Sequence, residues 1–201
     1  MRPTDPPVLQ LRTPRLLMRQ WGEADNAPFA ALNADPEVMA HFPWTLTADE
    51  SRALAYRYAA GLEVDGYGIW ALEVLGSGAF IGFVGLARPT WESAFTPCTE
   101  IGWRLTRDAW GHGYATEAAR AALRVAFTHV GLDEVVSFTA AGNVRSRAVM
   151  ERLGMHRDVG GDFDHPRIAE GHPTRRHVLY RLTVADWATL ARNGSARGGS
   201  G

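Results

Sequence analysis

The spacing of apolar positions changes along this chain, and the changes mark its elements. Residues 1 to 7 are polar and proline-bearing. In Leu9 to Arg19 (LQLRTPRLLMR), Leu9 and Leu11 alternate with polar neighbours as in a strand, and Pro14 implies an edge position or a bulge. Glu23 to Asn33 reads as a short helix, and Asp35-Pro36-Glu37 begins another helical turn. Thr47-Ala48-Asp49-Glu50 is a capping box. The helix it opens carries Leu54, Ala55, Tyr58 and Leu62 on one face and ends before Gly66. The period then shortens to two. Gly68 to Val74 and Ala79 to Ala87 read as strands joined by a hairpin at Leu75 to Gly78, and Glu100 to Leu105 as a third. After a glycine turn comes a helix with Ala118, Ala119, Ala122, Val125 and Ala126 as its buried stripe, stopped by Gly131. Glu134 to Ala140 is a strand, and Asn143 to Leu153 a helix capped by Gly154. Met155 to Gly160 and His177 to Leu182 are strands flanking a loop from Asp162 to Arg176, and Thr183 to Ala191 is a last helix.

This order, mostly antiparallel strands followed by strand–helix–strand–helix–strands, predicts an α+β or mixed α/β fold. A single domain over 9–191 is expected, with a loose start over 1–8, a flexible tail over 192–201 and no internal repeat. At 201 residues and 46% apolar content the chain can bury a substantial core. A formal net charge of −1 gives no basic footprint, which argues against nucleic acid as a partner. All 21 basic residues other than histidine are arginine, so lysine-based Schiff-base or phosphate-loop chemistry is excluded. One cysteine, Cys98, leaves neither a disulfide framework nor a thiolate metal cluster. The sequence has no bilayer-length apolar run and no signal peptide, so a cytoplasmic protein without a membrane partner is expected.

The chemistry concentrates in Glu100 to Ala119, EIGWRLTRDAWGHGYATEAA. A strand runs through a polar turn and two glycines, Gly111 and Gly113, into a helix. Glycine lets backbone approach a ligand closely and adopt positive φ. The helix beyond opens with unpaired N–H groups and the positive end of its dipole, an arrangement suited to phosphate. A P-loop is excluded because its lysine is missing. A dinucleotide turn fails too: Thr116 stands where the third glycine belongs, and the preceding strands look antiparallel.

The run Trp110-Gly111-His112-Gly113-Tyr114-Ala115-Thr116-Glu117-Ala118 resembles the acetyl-CoA pyrophosphate loop of the GNAT superfamily of N-acyltransferases, with Gly113 and Ala115 at the last two fixed positions. Asn143-Val144-Arg145-Ser146 through Arg152-Leu153-Gly154-Met155 resembles that family's second conserved block. Leu11-Arg12-Thr13-Pro14-Arg15-Leu16 with Arg19 looks like the opening of the branch that includes the ribosomal-protein N-terminal acetyltransferases. The resemblance spans roughly residues 9 to 182. It implies a central, mostly antiparallel twisted sheet of about seven strands flanked by helices, with the pyrophosphate site at a strand–turn–helix. It further implies acetyl-CoA as cosubstrate, an amine acceptor (a protein N-terminus or a small molecule), direct transfer in a ternary complex, no metal, and a homodimer as a common assembly. Two departures stand out. Trp110 occupies the Gln/Arg position, and Met150 stands where many members have a tyrosine acid; a thioether donates no proton.

By analogy, Trp103, Arg104 and Leu105 offer strand-edge backbone groups to the pantetheine. The N–H groups of Gly111, His112, Gly113, Tyr114, Ala115 and Thr116 hold the pyrophosphate, with Trp110 opening the cofactor-binding loop. Glu100, near where several members carry a base, is the candidate for taking the amine's proton, directly or through water. Asn143 reads as an N-cap that also reaches the CoA arm. Ser146 is the candidate acid, with water as the alternative, and Arg147 meets the CoA phosphates or solvent. Phe42, Trp44, Tyr56 (or Tyr58) and the loop containing His165 are expected to select the acceptor. His165, His172 and His177 stand at spacings that fit no zinc pattern. A non-catalytic acyl-CoA-binding module on the same scaffold is the rival reading.

Overall fold

The interruption at Pro14 proves to be a chain reversal. In the computed structural model, which describes residues 10–197, β1 (Leu11–Arg12) folds back antiparallel on β2 (Leu16–Arg19), with Leu11 opposite Met18. Thr13 closes the turn: its N–H donates to the Leu16 carbonyl at 3.0 Å, and its hydroxyl accepts from the Leu16 N–H at 3.0 Å. The expected mixed α+β architecture therefore has eight strands, because the first expected strand is two; its start at Leu9 lies outside the described residues.

The chain divides into two compact units. The first comprises the residues up to Ala87 together with Ile101–Ala122. In it, β2 pairs antiparallel with β3 (Ile69–Val74), and β3 with β4 (Phe80–Ala87), which neighbours β5 (Glu100–Leu105). α1 (Asn26–Ala34) and α2 (Ala48–Asp65) belong to this unit. The Thr47 capping box forms as its sequence predicts, and Gly66 ends α2 with φ 72°. The helical turn expected at Asp35-Pro36-Glu37 is instead a series of turns. Proline pushes the residue before it out of the helical region, and Asp35 has ψ 115°. Leu16, Met18, Phe29, Leu62, Trp70 and Leu72 are completely or almost completely buried and form this unit's core.

Where β3 and β4 pair, the register slips by one residue next to Gly82. Gly82 has φ 128°, and a Cβ there would lie 2.1 Å from the Arg104 carbonyl oxygen. Only glycine lets β4 cross so close to β5.

The second unit comprises Arg88–Glu100 and the residues from Leu123 onward. β6 (Glu134–Ala140) pairs antiparallel with β8 (Arg176–Thr183), which pairs with β7 (His156–Asp164). β5 meets β6 in parallel at a single position, Glu100 opposite Val136. α4 (Val144–Arg152) and α5 (Val184–Arg197) complete the unit, and α5 runs past the expected end at Ala191. α3 (Tyr114–Arg124) continues as a wider π-helical segment, Val125–Val130, capped by Gly131 at φ 76°. All five residues of its predicted alanine-rich stripe are buried. Among the described residues no helix is long and apolar enough to cross a membrane, and no group of three His, Cys, Asp or Glu is placed to hold a metal.

Candidate functional site

The glycine turn of the first unit has the backbone its sequence requires. Gly111 and Gly113 take φ 76° and 78°, where side chains with a Cβ are strained, and α3 starts at the next residue, Tyr114. A Cβ on Gly111 would meet nothing within 4 Å, so its neighbourhood is open; at Gly113 the nearest atom is an Arg15 guanidinium nitrogen at 3.6 Å. The Trp110 indole donates to the Leu105 carbonyl at 2.9 Å, which ties the turn to the end of β5. Thr116 is buried in the first turn of α3, and the His112 and Tyr114 rings stack at 5.5 Å.

Glu117, also in that first turn, is a carboxylate beside the glycine turn, and its charge needs neutralising if an anion is to bind there. Arg15 does so. Its Nε and Nη2 each lie 2.6 Å from Oε2, while the Arg15 N–H and the Thr13 hydroxyl donate to Oε1 at 2.9 and 2.6 Å. Burial would raise the Glu117 pKa, but the hydrogen bonds from Thr13 and Arg15, with the arginine's charge, outweigh it and hold the carboxyl below its usual range. Arg15 Nη1 also donates to the His112 carbonyl at 2.9 Å, so one side chain braces both the turn and the helix. One signal for this lock lies in the sequence: Glu117 closely follows the glycine turn, and a helix start that is to hold an anion requires its own carboxylate to be paired.

Of the acceptor-side candidates in this unit, Phe42 comes into contact with β5, its ring 4.0 Å from the Arg104 guanidinium carbon. Trp44 and Tyr56 are exposed, at 59% and 61%. Trp103, Arg104 and Leu105 are expected to serve through their backbone. Leu105 is buried, Trp103 and Arg104 are half-buried, and the Arg104 side chain has surroundings of its own.

In the second unit, Glu100 is half-buried at the start of β5, and burial pushes its carboxyl up to about 8. Burial likewise lifts the Cys98 thiol to about 11, far from a reactive thiolate. Asn143 caps α4: its Oδ1 accepts from the Ser146 N–H at 3.2 Å, and its Nδ2 donates to the Thr139 hydroxyl at 2.9 Å. The half-buried Ser146 hydroxyl makes no hydrogen bond among the described residues. Met150 is 1% exposed and belongs to the core. Arg147 donates to the Ala141 carbonyl at 3.3 Å and, at a long 3.5 Å, to the Tyr180 hydroxyl, which itself donates to Glu151 at 3.0 Å.

His165 joins an aromatic cluster that sequence reasoning missed. Its ring lies 5.0 Å from Trp91 and 5.1 Å from His177, and the β7–β8 register sets Phe163 opposite His177. Phe95 and Phe138 complete the group. Burial, with the neighbouring His177 and Arg167, pushes the His165 pKa down to about 4, and burial also lowers that of His177. Both rings are therefore neutral near pH 7. The third histidine of that loop, His172, instead accepts from the Thr174 N–H at 3.2 Å. A cavity of about 260 Å³ opens beside Phe95 and Phe163 and is also lined by Asp158, Asp162 and Arg181. Asp162 accepts from Arg157 at 2.6 Å through one oxygen, and its other oxygen is buried without a partner.

The chain is similar to known proteins in sequence and in fold. The sequence model of the Acetyltransferase (GNAT) domain matches residues 15–156. FsC-acetyl coenzyme A-N(2)-transacetylase of Aspergillus fumigatus is 34% identical over 198 residues, covering 93% of this chain and 81% of that protein. Among solved structures, an acetyltransferase from Agrobacterium tumefaciens is 28% identical with a TM-score of 0.67, covering 86% of this chain and 93% of that one. A GNAT-family acetyltransferase from Bacillus anthracis, 23% identical, has the same fold with a TM-score of 0.72 over 88% of this chain and 99% of that one. With a family model matched over most of its length and a relative aligned almost end to end, this chain belongs to the GNAT family of acetyltransferases.

Proposed function

We propose that the chain is an acetyl-CoA-dependent N-acetyltransferase that acetylates a primary amine by direct attack in a ternary complex. The observation that carries this reading is the turn from Trp110 to Thr116. It pairs two positive-φ glycines with a helix start whose one acidic residue is neutralised by Arg15. The open space at Gly111 and the unopposed helix dipole suit the CoA pyrophosphate. The name of the Aspergillus relative, which specifies acetyl transfer from acetyl coenzyme A to a nitrogen, supports the same chemistry.

Acetyl-CoA supplies a thioester-activated acetyl group. This chain's residues bind it and manage protons. The N–H groups of residues 111–116 hold the pyrophosphate, and the backbone of Trp103–Leu105 lies along the pantetheine. Glu100, ionised above its raised pKa, takes the proton the amine loses as the new C–N bond forms. The Ser146 hydroxyl delivers a proton to the sulfur as the C–S bond breaks, and water restores it. Asn143 positions Ser146 by capping its helix. The neutral His165 and His177 rings, with Trp91 and Phe163, offer aromatic faces to the acceptor.

Free-thiol release from acetyl-CoA, measured against a panel of small amines and N-terminal peptides, tests the proposal. Amine-dependent turnover supports it. Tight CoA binding without turnover on any amine would instead mark a binding module.

A further inference from the structure

Arg104 is a cation whose protein surroundings are neutral. Its Nη1 donates to Asn33 Oδ1 at 2.5 Å, the Phe42 ring lies 4.0 Å from its guanidinium carbon, and the Phe83 ring lies 5.5 Å away. Nε is buried without a hydrogen-bond partner, and among the described residues Arg104 forms no ion pair. Arg19, in the same unit, shows the usual solution: it meets Asp25 at 2.7 Å and Glu73 at 2.8 Å. The acids that follow α1 do not serve Arg104, since Asp35 and Glu37 both pair with Arg107.

The neighbour that does hold Arg104 is itself fixed. Asn33 is fully buried, and its Nδ2 donates to the Ser51 hydroxyl at 3.1 Å, which donates to the Thr47 carbonyl at 2.8 Å. This chain of neutral groups orients the guanidinium and leaves its charge uncompensated. Withdrawing a cation from water without a counter-charge is costly. Burial, partly offset by Tyr58, pushes the Arg104 pKa down to about 10, yet the group is still charged near neutral pH. Its charge is left to solvent or to a bound anion.

We propose that Arg104, framed by Phe42 and Phe83 and steered by Asn33, recognises a carboxylate on the acceptor, so that the amine acetylated is an amino-acid-like molecule. The inference rests on the acetyltransfer reading above. An acceptor carboxylate is favoured over a CoA phosphate because Arg104 is framed by α1, the segment after it and β4, and not by the glycine turn. Arginine's planar guanidinium matches a carboxylate, and Arg104 is only half-buried, so part of its side chain is left for one.

The test uses paired acceptors, each an amino acid and its primary amide, with wild type, Arg104→Gln and Arg104→Lys. Wild type should prefer the acid over the amide in kcat/KM by at least about tenfold, the scale of one charge-assisted hydrogen bond. Arg104→Gln should bring the two within a factor of about two. Arg104→Lys should keep part of the preference, because it keeps the charge but not the fork. Asn33→Asp would place a carboxylate beside the guanidinium and should erase the preference too, which covers the case of an unfolded Gln variant. Equal use of acid and amide by wild type overturns the proposal. So does a preference that survives Arg104→Gln, or a loss confined to acetyl-CoA. Thermal-shift measurement with N-acetylglycine and N-acetylglycinamide reads the carboxylate site without turnover. Stabilisation of wild type by the acid alone, lost in Arg104→Gln, supports the site even if no acceptor is acetylated. Its absence refutes the site independently of the acetyltransfer reading.

Discussion

Arg15 and Glu117 lie 102 residues apart in sequence, yet their side chains meet at 2.6 Å and join the opening hairpin to the first turn of α3. The same arginine holds the His112 carbonyl at 2.9 Å. The position of the glycine turn is thus set from outside the turn, and its acidic neighbour is already neutralised.

Glu117→Gln should loosen that turn. It removes the charge from contacts to Thr13, the Arg15 N–H and the Arg15 guanidinium. Arg15 is nearly half exposed, so solvent screening trims the ion pair, and a stability loss of about 2 kcal/mol is expected from the hydrogen bonds that weaken. Urea denaturation measures this, and calorimetry should show CoA affinity falling about tenfold, well beyond what the stability change requires. Because hydrogen bonding and Arg15 depress the Glu117 pKa, its contribution is present above the unfolded carboxylate pKa and disappears as pH falls through the lower folded value. The variant should accordingly lose its disadvantage in acid.

Two glycines with positive φ should respond differently to substitution. Gly113→Val strains the backbone by about 1–2 kcal/mol, but the nearest atom to its Cβ is the tip of a flexible arginine at 3.6 Å. The protein should stay folded and lose CoA binding. At Gly82 a Cβ would strike the Arg104 backbone oxygen at 2.1 Å, so even Gly82→Ala should cost about 3 kcal/mol as the strands separate. Circular dichroism melts and CoA titration of both variants separate a functional glycine from a structural one. Unchanged CoA affinity in folded Gly113→Val would refute the loop assignment.

The contrast between local and distant pairings explains what the sequence could reveal. The β5 strand, the Thr47 capping box and the alanine stripe of α3 are signals within a few residues, and the structure has all three where the pattern predicts them. Pro14 was visible as an interruption, but whether it bulges or reverses depends on Thr13 bonding to Leu16. Arg104 reads as an ordinary strand residue until α1 brings Asn33 to it. The cluster of Trp91, Phe138, Phe163 and His177 draws on a loop and three strands, so no window of sequence contains it.

Ser146→Ala tests proton delivery. The serine hydroxyl has no partner within the described residues, while its N–H serves the Asn143 cap, which alanine preserves. Stability should change by less than about 0.5 kcal/mol. If the hydroxyl protonates the sulfur, kcat should fall about a hundredfold with little change in KM. A variant as active as wild type would give that role to water, since the buried Met150 thioether cannot take it.

Glu100 makes the strongest statement about pH, because the same burial governs catalysis and stability. Its folded pKa of about 8 lies above the ordinary carboxylate value of 4.5. Between these values the folded protein holds a proton that the unfolded chain has released, so the slope of unfolding free energy with pH is negative. The stability contributed by the neutral carboxyl is complete below pH 4.5 and is lost as pH rises through 8. Partial exposure limits the change to a few kcal/mol. Glu100→Gln, which cannot ionise, should abolish this decline and melt higher than wild type at pH 9. Activity should move the other way: wild-type kcat/KM should rise to a plateau above pH 8, and the glutamine variant should lose that limb together with about a hundredfold in rate. Melting curves and rate profiles over pH 5–9 check both. A wild-type stability that is flat across the range would show that Glu100 ionises normally, and the assignment of the base would then have to move to a water.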